Sequence, residues 1–154
     1  MSGRPLTLDF TLLKSASLPR RAFGRADLKA LAAFALAAEG VSGAAQVTVD
    51  LTGHERIQAL NRRFRGVDRT TDVISFRHDS GKGAPLEGDL AINVAQAEIQ
   101  AASVRHSVRR EVRLLLIHGI LHLLGYTDYE PAPRRRMFKR QNRLLRRWES
   151  RAGR

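Results

Sequence analysis

The sequence contains no cysteine, which excludes disulfide bonds, Cys-based zinc ribbons, iron–sulfur clusters and thiol catalysis. Any metal ion must therefore be held by histidine and carboxylate groups. No apolar run approaches the roughly 18 residues that a membrane span requires, and the N-terminus lacks the pattern of a secretory signal. We therefore expect a cytoplasmic protein with no membrane partner.

Acidic residues are few relative to basic ones. The chain has 27 Lys+Arg against 15 Asp+Glu, a formal net charge of +12 over 154 residues. Residues 134–154 hold nine Arg and one Lys but a single acid, Glu149. Such a segment attracts polyanions, because each neutralised phosphate releases condensed counterions. Nucleic acid is therefore the first partner that the charge predicts.

The length and the 43% hydrophobic content predict one globular domain over residues 1–154. Apolar alternation predicts strands at residues 6–12, 47–51, 73–76 and 90–94. Helical patterns occupy residues 27–39, about 55–64, 95–104, 107–124 and, as a basic C-terminal helix, about 133 to 150. We expect an α+β fold in which a small mixed β-sheet of about four strands packs against several helices.

Two histidines interrupt the helix predicted at residues 107–124, which is apolar around its whole circumference and should be buried. His118 and His122 lie one turn apart on the same face. Burying both is unfavourable unless each finds a partner, either a shared metal ion or backbone carbonyls. Gly125 suits a helix stop that turns Asp128 back toward this face. The spacing predicts a buried, zincin-like metal-binding helix with His118, His122 and Asp128 as ligands.

Three protein ligands leave one zinc position open to water, as in catalytic sites. We expect one Zn²⁺ per chain, with Mn²⁺ or another divalent ion as the alternative, and His106 and Glu130 as alternative ligands. Helical zinc peptidases carry glutamate directly after the first histidine as general base. Gly119 occupies that position here, which disfavours a metallopeptidase.

Three further positions bear on the site: Gly119 and Ser75 each allow two interpretations, and His54 allows one expectation. Gly119 fits either close approach of substrate or backbone, or simple helix–strand packing. Ser75 fits either a hydroxyl that faces the site or a hydrogen bond in the sheet. His54 lies in a polar context near glycine and is expected to be exposed.

Three sequence blocks follow one another in the middle of the chain. Residues 61–76 read N-x-x-F-R-x-x-D-x-x-T-D-V-I-S-F, residues 88–92 read GDLAI, and residues 118–126 read HGILHLLGY. Together they resemble the motifs of the YbeY family, bacterial metal-dependent endoribonucleases that act in ribosomal RNA maturation. The family's third metal ligand is a histidine, whereas Asp128 occupies that position here.

The resemblance implies a metal-dependent, single-strand-specific endoribonuclease that acts in ribosomal RNA maturation and ribosome quality control. Its implied partners are single-stranded ribosomal RNA and the small ribosomal subunit. It also identifies Arg65 as the catalytic arginine that binds phosphate, a role that suits a guanidinium fork. A carboxylate in place of the third histidine makes the ion a weaker Lewis acid and favours ions such as Mn²⁺. The alternative is a non-catalytic RNA-binding assembly factor with a degraded metal site.

Overall fold

The computed structural model describes residues 4–16, 23–79, 81 and 83–151. The elements in these ranges are, in chain order, β1 (Thr7–Lys14), α1 (Arg25–Ala38), β2 (Ala44–Thr52), α2 (His54–Arg65), β3 (Val73–Arg77), β4 (Leu86–Asn93), α3 (Val94–Val104), α4 (Val108–Leu123) and α5 (Pro131–Ser150). The predicted α+β fold class is confirmed, because these elements form one four-stranded mixed sheet packed with helices.

The strand order in the sheet is β1-β2-β4-β3. β2 pairs in parallel with both β1 and β4, whereas β3 pairs antiparallel with β4 and is an edge strand. β4 begins at Leu86, four residues before the predicted start, because Glu87 and Gly88 pair with β2 despite their weak strand preference. Val94 was wrongly predicted as strand and instead begins α3, since the Asn93 side chain accepts the Gln96 N–H as a helix cap.

The main hydrophobic core lies between one face of the sheet and helices α1, α3, α4 and α5. Helix α2 packs on the opposite face, where Ile57, Ile74 and Ala91 form a smaller cluster. Because strand side chains alternate, Leu90 and Ile92 of β4 enter the main core while Ala91 faces α2. Within the described ranges no helix is both long and apolar enough to cross a bilayer.

Helix α4 packs closely on the sheet at Gly119. A Cβ at Gly119 would lie 2.9 Å from Leu90 Cδ2 and 3.2 Å from Val73 Cγ2. Ser75 Oγ donates a hydrogen bond to the Gly119 carbonyl at 3.1 Å. Helix–strand packing therefore accounts for Gly119, and Ser75 joins the edge strand to the helix instead of bonding within the sheet.

Helix α5 has two chemically different faces. One face packs into the core through side chains that are at most 3% exposed: Met137, Leu144, Leu145 and Trp148. The other face carries four exposed cations at helical spacing, which we call the α5 basic stripe: Arg135, Lys139, Arg143 and Arg146. The helix is thus anchored by its apolar face while its charge remains in solvent.

Candidate metal centre

Two imidazoles and one carboxylate meet near the C-terminal end of α4. His118 Nε2 lies 3.1 Å from His122 Nε2, and Asp128 Oδ2 lies 3.6 Å from each of them. An ion bound tetrahedrally at about 2.0–2.1 Å separates its ligand atoms by about 3.3–3.4 Å. The three groups therefore fit a single divalent ion. Across the described part of the chain, neither His106 nor Glu130 joins a group with this spacing.

The second nitrogen of each imidazole already has a hydrogen-bond acceptor. His118 Nδ1 donates to Gln141 Oε1 at 2.6 Å, and His122 Nδ1 donates to the Tyr126 carbonyl at 3.0 Å. Because a neutral imidazole has one N–H, both Nε2 atoms carry lone pairs. Two lone pairs 3.1 Å apart repel each other unless a cation lies between them. Burial, and then the proximity of His118, lowers the pKa of His122 and so favours its neutral, ligand-competent form.

The turn after α4 brings Asp128 back to the histidines. Gly125 has a φ of 98°, in the left-handed region that a helix stop of this kind requires. Tyr126 then donates its hydroxyl to Glu39 Oε1 at 2.6 Å, and Arg140 of α5 binds the other oxygen of the same carboxylate. The hydrogen bond to Glu39 raises the pKa of Tyr126, which keeps the phenol protonated as a donor. These interactions fix the segment that carries Asp128.

The three candidate ligands line an open cavity of about 740 Å³. Arg65, at the end of α2, lines the same cavity and donates to the Ser75 carbonyl at 3.2 Å. Its positive charge also contributes to the lowered pKa of His122. The fold thus brings the four predicted site residues to one cavity, although α2 and α4 are far apart in the sequence.

Two buried asparagines hold the loop between α2 and β3, which forms part of the cavity lining. Asn61 Nδ2 donates to the Arg69 carbonyl at 2.9 Å, and Asn93 Nδ2 donates to the Thr71 carbonyl at 3.1 Å. His54 Nδ1 lies 2.9 Å from Asn93 Nδ2. His54 is therefore half-buried in this network, and the expectation that it is exposed was wrong.

Motif reasoning missed two side chains that position the site. Gln141 was visible only as a polar residue within the apolar stripe of α5, next to leucines that enter the core. Asn93 lies at a strand-to-helix junction, where an N-cap asparagine is common, but nothing in the sequence pairs it with the loop. The acceptor for His122 is a backbone carbonyl, which no side-chain pattern can reveal.

Comparisons with known proteins place the chain in a family. A family model described as Endoribonuclease YbeY matches residues 17–149. A protein named Endoribonuclease YbeY from Bacillus licheniformis is 39% identical over 133 residues, which is 80% of this chain and 84% of that protein. One of the same name from Anaeromyxobacter sp. is 40% identical over 137 residues, 88% of this chain and 71% of its own. A solution structure from Thermotoga maritima has a TM-score of 0.60 and 25% identity, and the match covers 95% of this chain and 94% of that one.

Proposed function

The chain belongs to the YbeY family of endoribonucleases, and on this basis we propose that it is a metal-dependent ribonuclease. Its proposed substrate is single-stranded ribosomal RNA, cleaved during maturation and quality control of the small ribosomal subunit in the cytoplasm. Its proposed cofactor is one Zn²⁺, or Mn²⁺, held by His118, His122 and Asp128. The observation that carries the proposal is the convergence of three ligand atoms, 3.1–3.6 Å apart, on the wall of a cavity open to solvent.

The side chains around the site have separate tasks in this proposal. When bound, a divalent ion supplies Lewis-acid chemistry at a phosphodiester. Gln141 and the Tyr126 carbonyl hold the two Nδ1 protons, so that both Nε2 lone pairs remain available as ligands. Arg65 binds the scissile phosphate and offsets the negative charge that develops on it. Ser75 supports that arginine through its backbone carbonyl.

The α5 basic stripe supplies attraction for RNA that does not depend on base sequence. In the part of the chain that the structure describes, none of its four cations is paired with a carboxylate. Lysine and arginine at such positions bind phosphates and release counterions, so binding weakens as salt rises. Capture by this surface and cleavage at the metal centre are therefore separable functions.

The test uses labelled single-stranded RNA and a duplex of the same sequence, each with and without a chelator. We expect cleavage of the single strand alone, lost on chelation and restored by added divalent ion. His118→Ala and Asp128→Ala should lower both metal content and cleavage. Glu130→Ala is the matched control, because this exposed acid lies close in sequence to Asp128 but outside the ligand group.

Two results would contradict the proposal, and a third would correct the ligand set. Cleavage that survives chelation and His118→Ala would remove the metal centre from the reaction. RNA binding by the metal-loaded protein without any cleavage would support the assembly-factor alternative instead. Unchanged metal content in Asp128→Ala would exclude the carboxylate as the third ligand.

A further inference from the structure

An aromatic pair, exposed Phe64 of α2 and half-buried Phe76 of β3, lies on the face of the sheet opposite the metal centre. Phe64 is 57% exposed, and its ring centroid lies 5.2 Å from that of Phe76, tilted by 59°. Together with Leu13, which is 50% exposed, these rings line a second cavity of about 680 Å³. Contiguous exposed apolar side chains of this kind mark a contact surface more often than isolated ones do.

The aromatic pair lies directly across the edge strand from the metal cavity. In β3 the side chains alternate, so Phe76 packs on the α2 side while Ser75 bonds to α4 on the other. Ser75 and Arg77 line both cavities, which are therefore neighbours. Phe64 immediately precedes Arg65, the proposed phosphate-binding residue. The exposed ring is therefore within reach of a nucleotide that neighbours one bound at Arg65.

Two arginines lie against these rings. The Cζ atom of Arg63 is 5.1 Å from the centroid of Phe64, and that of Arg65 is 5.9 Å from the centroid of Phe76. Neither arginine has a carboxylate partner in the described ranges. Both therefore keep their charge available for phosphate while their Cζ atoms lie over aromatic rings.

The two carboxylates that line this second cavity, Asp50 and Asp89, are each engaged by a basic side chain. Asp50 Oδ2 lies 3.1 Å from Arg56 Nε, and Asp89 Oδ2 lies 2.7 Å from His78 Nε2. The guanidinium groups of Arg63 and Arg65 beside the aromatic pair, by contrast, have no carboxylate partner in the described ranges. An aromatic face flanked by unpaired arginines is the combination that binds a base and its phosphates.

We propose that Phe64 is a stacking platform for one nucleobase of the RNA substrate, next to the nucleotide whose phosphate Arg65 binds. The inference rests on the proposed ribonuclease function. The base covers the face of Phe64 on which Arg63 lies, and the guanidinium moves to an adjacent phosphate. Bases in a duplex are stacked and paired, so only an unpaired base can reach this ring. The platform therefore provides a physical basis for a preference for single strands.

Binding without cleavage tests the platform independently of the metal. In the presence of a chelator, fluorescence anisotropy compares labelled eight-nucleotide oligoadenylate with an abasic RNA backbone of equal length and charge. Phe64→Ala should weaken oligoadenylate binding about 5- to 150-fold and leave abasic binding and the salt dependence unchanged. Ile99→Ala is the matched control, because Ile99 is also 57% exposed but lies on α3. Phe64→Leu should behave like the alanine variant, whereas Phe64→Trp should retain binding.

The Phe64→Trp variant gives a direct readout. Stacking of adenine on the introduced indole should quench fluorescence beyond any change in the wild type, whose Trp148 is only 3% exposed. The proposal is overturned if Phe64→Ala still prefers oligoadenylate over the abasic chain, if it weakens binding of both ligands equally, or if neither ligand binds the wild type. It is also overturned if Phe64→Trp shows no added quenching, a readout that applies even if the alanine variant is unstable. A wild-type protein that prefers oligoadenylate over the abasic chain but does not cleave RNA would instead contradict the ribonuclease function alone.

Discussion

Replacing Gln141 by leucine removes the acceptor for the Nδ1 proton of His118 while keeping a side chain of similar size. The hydrogen bond is 2.6 Å long, and the two residues are only 7% and 8% exposed, so water cannot easily replace the missing oxygen. A buried group left without its partner costs about 1–3 kcal/mol. We expect the free energy of unfolding of the metal-free variant to fall by about this amount.

The same substitution should also weaken metal binding. Without Gln141, the His118 proton can move to Nε2, where it faces the lone pair of His122 Nε2 at 3.1 Å. That tautomer gives the proton an acceptor but leaves the buried Nδ1 without a partner and removes a ligand atom, so metal binding must first reverse it. Loss of such a partner to a ligating histidine lowers metal affinity about 10- to 100-fold. Gln141→Glu preserves an acceptor and should retain affinity.

Metal affinity is measured by competition with a chromophoric chelator, and stability by urea denaturation of the metal-free protein followed by circular dichroism. Asn142→Leu is the control, because it makes a similar change at the next, exposed position of α5. Wild-type metal affinity and wild-type stability in Gln141→Leu would refute the assigned Nδ1 proton. Equal losses in the Asn142 variant would show that the effect arises from the helix and not from the hydrogen bond.

Three other predictions concern packing, charge and acid stability. Gly119→Ala should destabilise the protein by about 1 kcal/mol in thermal or urea unfolding, because overpacking against Leu90 outweighs the gain in helix propensity; a stabilised variant would contradict the packing assignment. Replacing the three arginines of the α5 basic stripe by glutamine should make RNA binding less sensitive to salt. The slope of log affinity for single-stranded RNA against log salt concentration should fall in magnitude by about 0.7 for each phosphate that is no longer neutralised. An unchanged slope would show that RNA does not bind at this stripe. The Arg77 guanidinium, with backbone N–H donors, lowers the pKa of Asp79 from 3.8 to about 2. The interaction between Arg77 and Asp79 therefore stabilises the fold fully above pH 3.8, and this stabilisation is lost as pH falls toward 2. Arg77→Gln should raise the pKa of Asp79 measured by NMR titration. An unchanged pKa would exclude the Arg77–Asp79 pair as the cause of the shift.

Truncation is a poor test of the basic helix. Removal of the chain from Pro133 would delete side chains that fill the main core, among them Met137 and Trp148, which are 0% and 3% exposed. Loss of RNA binding would then report unfolding as readily as loss of charge. Substitutions on the exposed face avoid this problem, because the apolar face remains packed.

Local sequence was sufficient for the parts of the site that depend on one helix. His118 and His122 share a face because residues four apart always do so in an α-helix, and Gly125 marks the stop that returns the chain. The predicted family and the α+β class, both confirmed, likewise follow from short motifs and periodic patterns. Each of these features is encoded within a few consecutive residues, so no long-range interaction is needed to recognise it.

Packing between distant elements decided the remainder. Gln141 meets His118 only because α5 docks on α4, and Phe64 lines the cavity next to the metal cavity only because α2 packs beside the edge strand. Gly119 was open to two interpretations until the position of Leu90 showed how little space the helix leaves. Such arrangements depend on how whole faces of helices and sheets fit together, and the free energy of that fit is spread over many side chains that no single motif contains.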